Sequence, residues 1–153
     1  MKINWLCKKY ADLSLDELYE LLALRTNVFV VEQNCPYQEL DGKDKTAFHL
    51  MGFDENGLLL AYTRILPAGV YYKGPSIGRI VVSHKMRRHG LGNEMMRQAL
   101  EFAEKEFGKA ALRISAQEHL QSYYQNWGFK TVSEPYLEDG IPHLEMVKVW
   151  NPK

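Results

Sequence analysis

The sequence predicts one α/β domain over residues 1–153, and three observations lead there. Short apolar segments with period-two alternation mark strands, two of them joined across Asp54-Glu55-Asn56-Gly57, a hairpin signal. A β-branched run, Ile77, Ile80, Val81 and Val82, passes through a basic, glycine-spaced turn into a helical pattern. The composition, 46% apolar and 25% charged over 153 residues, is that of a globular chain long enough to bury its own core.

Taken in order, Ile3, Trp5 and Cys7 alternate with polar neighbours and predict a first strand. Ser14 and Glu17 form a capping-box pattern, and the helix they open carries Leu15, Leu18, Leu22, Arg25 and Phe29 on one side. Its helical character is expected to end near Val28, because Phe29-Val30-Val31 is aromatic and β-branched. Residues 32–46 read as a long polar connection, and connections of that length are often functional. Strands follow at 48–53 and 58–66, then a loop bearing Tyr71 and Tyr72 between two Pro/Gly clusters. The central strand and its turn lead into a helix in which Met96, Ala99, Leu100, Ala103 and Phe107 recur at helical spacing, closed by Gly108. A short apolar strand at 111–116, a helix at 117–127 capped by Gly128, and strands at 130–135 and 144–150 complete the chain.

Bulk properties exclude several classes of function. Net charge is zero, against the basic excess expected of a nucleic-acid binder. No apolar run approaches the roughly 20 residues of a membrane span, and no signal peptide pattern is present, so a cytoplasmic location away from membranes is expected. Cys7 and Cys35 are expected to be free thiols, and the five histidines show no metal-ligand spacing.

The turn Arg87-Arg88-His89-Gly90-Leu91-Gly92-Asn93 has the construction of an anion site. The N–H groups of a first helical turn have no helical partner, the helix dipole adds positive potential, and glycines allow close backbone approach. A plain strand–loop–helix corner fits the same residues. No Gly-Lys-Ser/Thr follows, so the phosphate-and-magnesium chemistry of a P-loop is absent.

Arg87-x-x-Gly90-x-Gly92 between strand and helix resembles motif A of the GNAT superfamily of acyl-CoA-dependent N-acetyltransferases. Tyr123-Tyr124-Gln125-Asn126-Trp127-Gly128-Phe129 resembles its motif B. Leu24-Arg25, Val28 to Gln33, Cys35-Pro36-Tyr37, Asp41-Gly42 and 137–143 are similar to the ElaA-like branch. The resemblance implies a GNAT-type fold, a mixed central β-sheet flanked by helices, and acetyl-CoA as co-substrate. It implies that the backbone of Ile80, Val81 and Val82 receives the pantetheine arm. It further implies that the turn from Arg87 and Arg88 through His89, Gly90, Leu91, Gly92 and Asn93 receives the pyrophosphate. Gln117 stands where many members carry a cofactor-contacting Asn. Tyr124, four residues before Gly128-Phe129, is the implied catalytic residue, a hydrogen-bond donor to the leaving thiolate; an aromatic packing role is its plainer reading.

The base that deprotonates an amine acceptor is not evident, since residues 76–83 hold no carboxylate. Glu32, Asp41, Asp44, His49, Glu138, Asp139 and His143 are candidates, each equally readable as a solvated loop residue. Glu32 and Asp139 are expected at an acceptor site between the 32–46 connection and the 138–143 loop. Arg25 and Arg79 would serve an acidic acceptor instead. The expected function is transfer of an acyl group to an amine of a small molecule or peptide. A non-catalytic acyl-CoA-binding module is the alternative, and assembly, including a homodimer, is left open.

Overall fold

The computed structural model describes residues 2–150. Eight strands form one open sheet: β1 (Asn4–Lys9), β2 (Phe48–Phe53), β3 (Leu59–Leu66), β4 (Ser76–Val82), β5 (Leu112–Gln117), β6 (Phe129–Thr131), β7 (Tyr136–Glu138) and β8 (Ile141–Lys148). Their order is β1-β2-β3-β4-β5-β8-β6, with β7 also paired to β8. Three helices, α1 (Leu15–Thr26), α2 (Leu91–Phe107) and α3 (Gln121–Gln125), flank it. All ladders are antiparallel except β4 with β5, so the sheet is mixed, as expected.

Each face of the sheet is covered, which is why β3 is buried along its whole length. On one face Leu21 of α1 and Val28, just past its end, pack against Met51, Tyr62 and Val81. On the other, Met95, Met96, Ala99 and Ala103 of α2 meet Leu50, Ile65, Ile77 and Ile114. Burying a side chain of this size contributes roughly 1.5–3 kcal/mol. α1 starts as its sequence dictates: Ser14 Oγ accepts from Glu17 N–H at 3.0 Å, and Glu17 Oε1 accepts from Ser14 N–H at 2.8 Å.

Three segments differ from expectation. The helix expected at 117–127 is a 3-10 turn at Glu118–Leu120 followed by α3, with Gln117 closing β5. The helix opened at Ser14 does not stop at Val28 but widens into a π-helical turn over Asn27–Glu32, where the Gln33 and Cys35 N–H groups reach back five residues to the Val28 and Val30 carbonyls. β-branched residues disfavour a helix only weakly, and the packing of Val28 overrides them. The expected strand at 130–135 stops at Thr131 as β6, and an unexpected strand, β7, follows at Tyr136–Glu138 and turns through Asp139-Gly140 into β8. Both turn residues have positive φ, 50° and 80°, the conformation of a type I′ hairpin. Glu138 and His143 thus lie on two paired strands rather than in a loop.

The connection after the π turn is fixed to the sheet by buried charge. Arg25 at the end of α1 is fully buried; it pairs with Glu39 and donates to Asp44 Oδ1 at 2.7 Å. Arg64 of β3 donates to Asp41 at 2.8 Å and to Asp44 at 3.0 Å. Arg79 of β4 lies 2.5 Å from Glu39 Oε1, outside hydrogen-bonding geometry at its Nε, and 3.4 Å from Asp41 Oδ2. Three guanidinium groups thus meet three carboxylates. Burial alone would raise the Asp41 and Asp44 carboxyls, but hydrogen bonds and charge from the arginines hold both below the usual carboxylate range.

Removing one member of such a cluster leaves buried charge uncompensated. Arg25→Ala is expected to lower unfolding free energy in a urea titration by about 3–5 kcal/mol; a loss under about 1 kcal/mol, the scale of an exposed pair, would show that the cluster does not anchor the connection. Because the folded Asp41 and Asp44 values are depressed, their stabilisation is present above the unfolded carboxylate value of about 3.9 and is lost as pH falls below it. The Tm of the wild type should accordingly fall as pH drops below about 4, and an Asp41→Asn variant, less stable at neutral pH, should show a shallower fall.

Candidate active site

The site is built by a separation. β4 pairs with β3 along its length, but it meets β5 only where Ser76 faces Arg113, tied by the Arg113 N–H to the Pro75 carbonyl at 3.1 Å. Beyond Ser76 the two strands part, and the β4 edge facing β5 has no ladder partner among the described residues. A bulge accompanies the parting: Tyr62 faces Val81 and Arg64 faces Gly78, so Arg79 and Ile80 oppose Thr63 alone. Thr63 Oγ1 takes up the Gly78 carbonyl at 2.9 Å. Arg79 has φ of 51°, a conformation costly for a residue with a Cβ, and it is held by Glu39, Asp41 and the Tyr37 ring 5.8 Å away.

A cleft opens in this gap. Ile80, Gln117 and Tyr124 line it, as do Glu138, Asp139 and His143 from the β7–β8 hairpin. Tyr71 and Tyr72, stacked with centroids 4.6 Å apart, form part of its wall. Tyr124 is buried, with its ring edge-on to Phe129, and its hydroxyl makes no hydrogen bond among the described residues. Burial, with a smaller contribution from Tyr123, pushes the phenol well above its ordinary value. Full proton transfer from such a phenol to a thiolate, whose conjugate acid ionises near 8.5, is uphill. Tyr124 is therefore suited to donate a hydrogen bond to a thiolate rather than to release its proton.

Past the end of β4, the turn at 87–93 presents the start of α2. Gly90 is the N-cap with φ of 77°, so no side chain occupies the N–H groups of Leu91, Gly92 and Asn93. The Leu91 side chain itself is core. Glu94, an acidic group in the first turn, is engaged by Trp5 Nε1 at 2.9 Å. Tyr123 donates to Asn93 Oδ1 at 3.0 Å, which joins α3 to the turn. The row of unpaired donors beside Arg88 and His89 suits an anion. Arg87 is already occupied: its guanidinium forks onto Glu32 at 2.5 and 3.1 Å, while its Nε donates to the Val82 carbonyl at 3.2 Å.

The structure gathers Ile80, Gln117, Tyr124, Glu138, Asp139 and His143 at one cleft and sets the 87–93 turn beyond the end of β4, but it places Glu32, Asp41, Asp44, His49 and Arg25 elsewhere. The π turn carries Glu32 to the α2 loop, where it pairs with Arg87, while Asp139 stays at the cleft wall. Asp41 and Asp44 are spent in the arginine cluster. His49 is fully buried, its Nε2 donating to the Asp44 carbonyl at 2.8 Å and its Nδ1 2.6 Å from the Tyr62 hydroxyl. Arg25 and Arg79 are committed to Glu39 and its neighbours. Sequence reasoning missed Ser115 of β5 and Tyr136 of β7, which support Glu138, and the β7–β8 hairpin; Asp139-Gly140 was the available signal for the hairpin.

Among the described residues no group of three or more His, Cys, Asp or Glu is placed to hold a metal, and no helix is long and apolar enough to cross a membrane. A family model described as "Acetyltransferase (GNAT) domain" matches residues 13–150. Protein ElaA of Escherichia coli (strain K12) is 43% identical over 148 residues, covering 95% of this chain and 96% of that protein. The crystal structure of E. coli ElaA superposes with a TM-score of 0.90 at 42% identity, covering 96% of this chain and 99% of that one. That of an acyl-CoA N-acyltransferase from Pseudomonas aeruginosa gives a TM-score of 0.93 at 49% identity over 97% and 100% of the two chains. With a split β4–β5 ladder, a glycine-capped turn onto α2 and these relatives along nearly its whole length, the chain belongs to the GNAT acetyltransferase family, in its ElaA-like branch.

Proposed function

We propose that the protein is an acetyl-CoA-dependent N-acetyltransferase acting on a small-molecule or peptide amine. The observation that carries this reading is the unpartnered β4 edge, which runs from the cleft towards the open N–H groups at the start of α2. An extended pantetheine arm pairs with such an edge as an added strand, through the backbone of Ile80 to Val82. Its pyrophosphate meets the N–H groups of Gly90 to Asn93, with Arg88 and His89 beside them. Arg87 joins the phosphates only by giving up Glu32, so part of its contribution is offset by the lost pair. The thioester then lies in the cleft, and Gln117 at the end of β5 faces it.

Alignment of amine and thioester supplies much of the acceleration, since little covalent help is needed. Tyr124 stabilises the departing thiolate by hydrogen bonding from a site where water is sparse. That hydroxyl favours an enzyme over a binding module, because a packing tyrosine gains nothing from an unpaired donor at a cleft wall. A thiol-release assay with acetyl-CoA across a panel of primary amines tests the reading. Release above the amine-free rate is expected for at least one class of amine; release with none, while acetyl-CoA still binds, would favour the module.

Acetyl-CoA should also raise Tm, as any ligand of the native state does. In Gly90→Asp the added carboxylate faces the pyrophosphate, and the ligand-induced shift should vanish; an unchanged shift would remove the turn from the site. Tyr124→Phe keeps the ring and deletes the donor. Its kcat should fall by roughly 10²–10³-fold, the scale of one lost oxyanion-type donor, with affinity for acetyl-CoA retained. Wild-type turnover by this variant would leave Tyr124 a packing residue.

A further inference from the structure

Acyl transfer to an ammonium acceptor requires a group that removes a proton, and the cleft offers few. Its arginines, Arg64 and Arg79, stay charged. Its phenols, Tyr37, Tyr71, Tyr72 and Tyr124, are all pushed upward by burial and hold their protons at neutral pH. Apart from the Cys35 thiol, which points to the Asp139 carbonyl at 3.5 Å, that leaves Glu138, Asp139 and His143.

Glu138 and His143 are arranged as a pair. His143 Nδ1 lies 2.7 Å from the Ile141 carbonyl, which can only accept, so that nitrogen carries a hydrogen. The neutral ring therefore has a bare Nε2, and this atom lies 3.5 Å from Glu138 Oε2. A proton placed in that gap joins the two groups. The other carboxylate oxygen, Oε1, accepts from Ser115 Oγ at 3.1 Å, and the Ser115 Oγ is 2.6 Å from the Tyr136 hydroxyl. Tyr71 approaches the same oxygen at 3.5 Å. The hairpin turn at Asp139-Gly140 fixes the register that opposes the two strands. His143 is buried behind Glu138, whose side chain is 36% exposed, so the carboxylate is the member an acceptor can reach.

We propose that Glu138 is the general base of the reaction, with His143 as the positioning residue that shares the captured proton. This rests on the acyltransferase reading above. The ammonium group of the acceptor gives one proton to Glu138 Oε2, where it bridges to His143 Nε2. The freed nitrogen lone pair forms the N–C bond to the acyl carbon, and the C–S bond breaks. The thiolate, held by the Tyr124 hydroxyl, collects the second amine proton through water; the proton on the pair returns to solvent. One proton is released per turnover. The groups facing the pair are Tyr136 and Asp139 of the hairpin, Ser115 of β5 and Tyr71 of the preceding loop, with Arg64 and Arg79 among the residues lining the same cleft.

Glu138→Gln separates this role from a structural one. The Gln amide can donate to the bare Nε2 and keep the hairpin together, but it takes up no proton. With the amine that the panel identifies, kcat/KM should fall by roughly 10²-fold or more, and its acidic limb in the pH profile should disappear, with KM for acetyl-CoA unchanged. The loss should shrink with hydroxylamine, which is already neutral at pH 7. Wild-type kinetics and an unaltered limb in this variant would overturn the proposal while leaving the acyltransferase reading intact. If wild type acetylates no amine, the pair is still tested by ¹⁵N chemical shifts of the neutral His143 ring: the hydrogen should reside on Nδ1, and a hydrogen on Nε2 would refute the bare-nitrogen geometry.

Discussion

The cleft depends on two parallel strands that pair once and then part. Had β4 and β5 continued their ladder past Ser76 and Arg113, the β4 edge would be satisfied and no cleft would exist. The parting leaves polar backbone groups without ladder partners, which buried sheet rarely tolerates. Arg87 takes up the Val82 carbonyl at the end of the strand, while the bulge at Arg79-Ile80 and the Thr63 hydroxyl on the Gly78 carbonyl adjust the β3 side of β4. In the function proposed above, an extended ligand completes what the chain leaves open.

The charges around the cleft sort into two sets with different duties. Glu39, Asp41 and Asp44 neutralise Arg25, Arg64 and Arg79, and the exchange secures the 33–46 connection and the strained Arg79 backbone. Because those acids are spent, they add little attraction for a cationic acceptor. Glu138 and Asp139 on the opposite wall have no arginine or lysine partner within salt-bridge distance among the described residues, and in the function proposed above they form the acceptor side. Glu32 works elsewhere: it holds Arg87 beside the α2 turn.

Local signals were legible in the sequence, and long-range pairings were not. The Ser14–Glu17 capping box, the helical spacing of Met96, Ala99 and Ala103, and the β-branched run into the 87–93 turn each depend on neighbours a few residues apart, and each was read correctly. The π turn was missed because propensity at Phe29-Val30-Val31 is a weak preference, overridden by packing of Val28. The Arg87–Glu32 pair spans 55 residues and the Ser115–Glu138 contact 23, separations at which spacing carries no information. The β7–β8 hairpin stands between these cases, since Asp139-Gly140 announced a turn but the strand before it, β7, is only three residues long.

The central claim is that the free edge of β4 is where the acyl carrier binds. Amide hydrogen exchange with and without CoA tests it residue by residue. The account predicts slowed exchange in β4 around Ile80 to Val82 and at Leu91 to Asn93, with β1 and β2 unchanged. CoA binding without added protection on β4, or with protection concentrated on another part of the sheet, would contradict it.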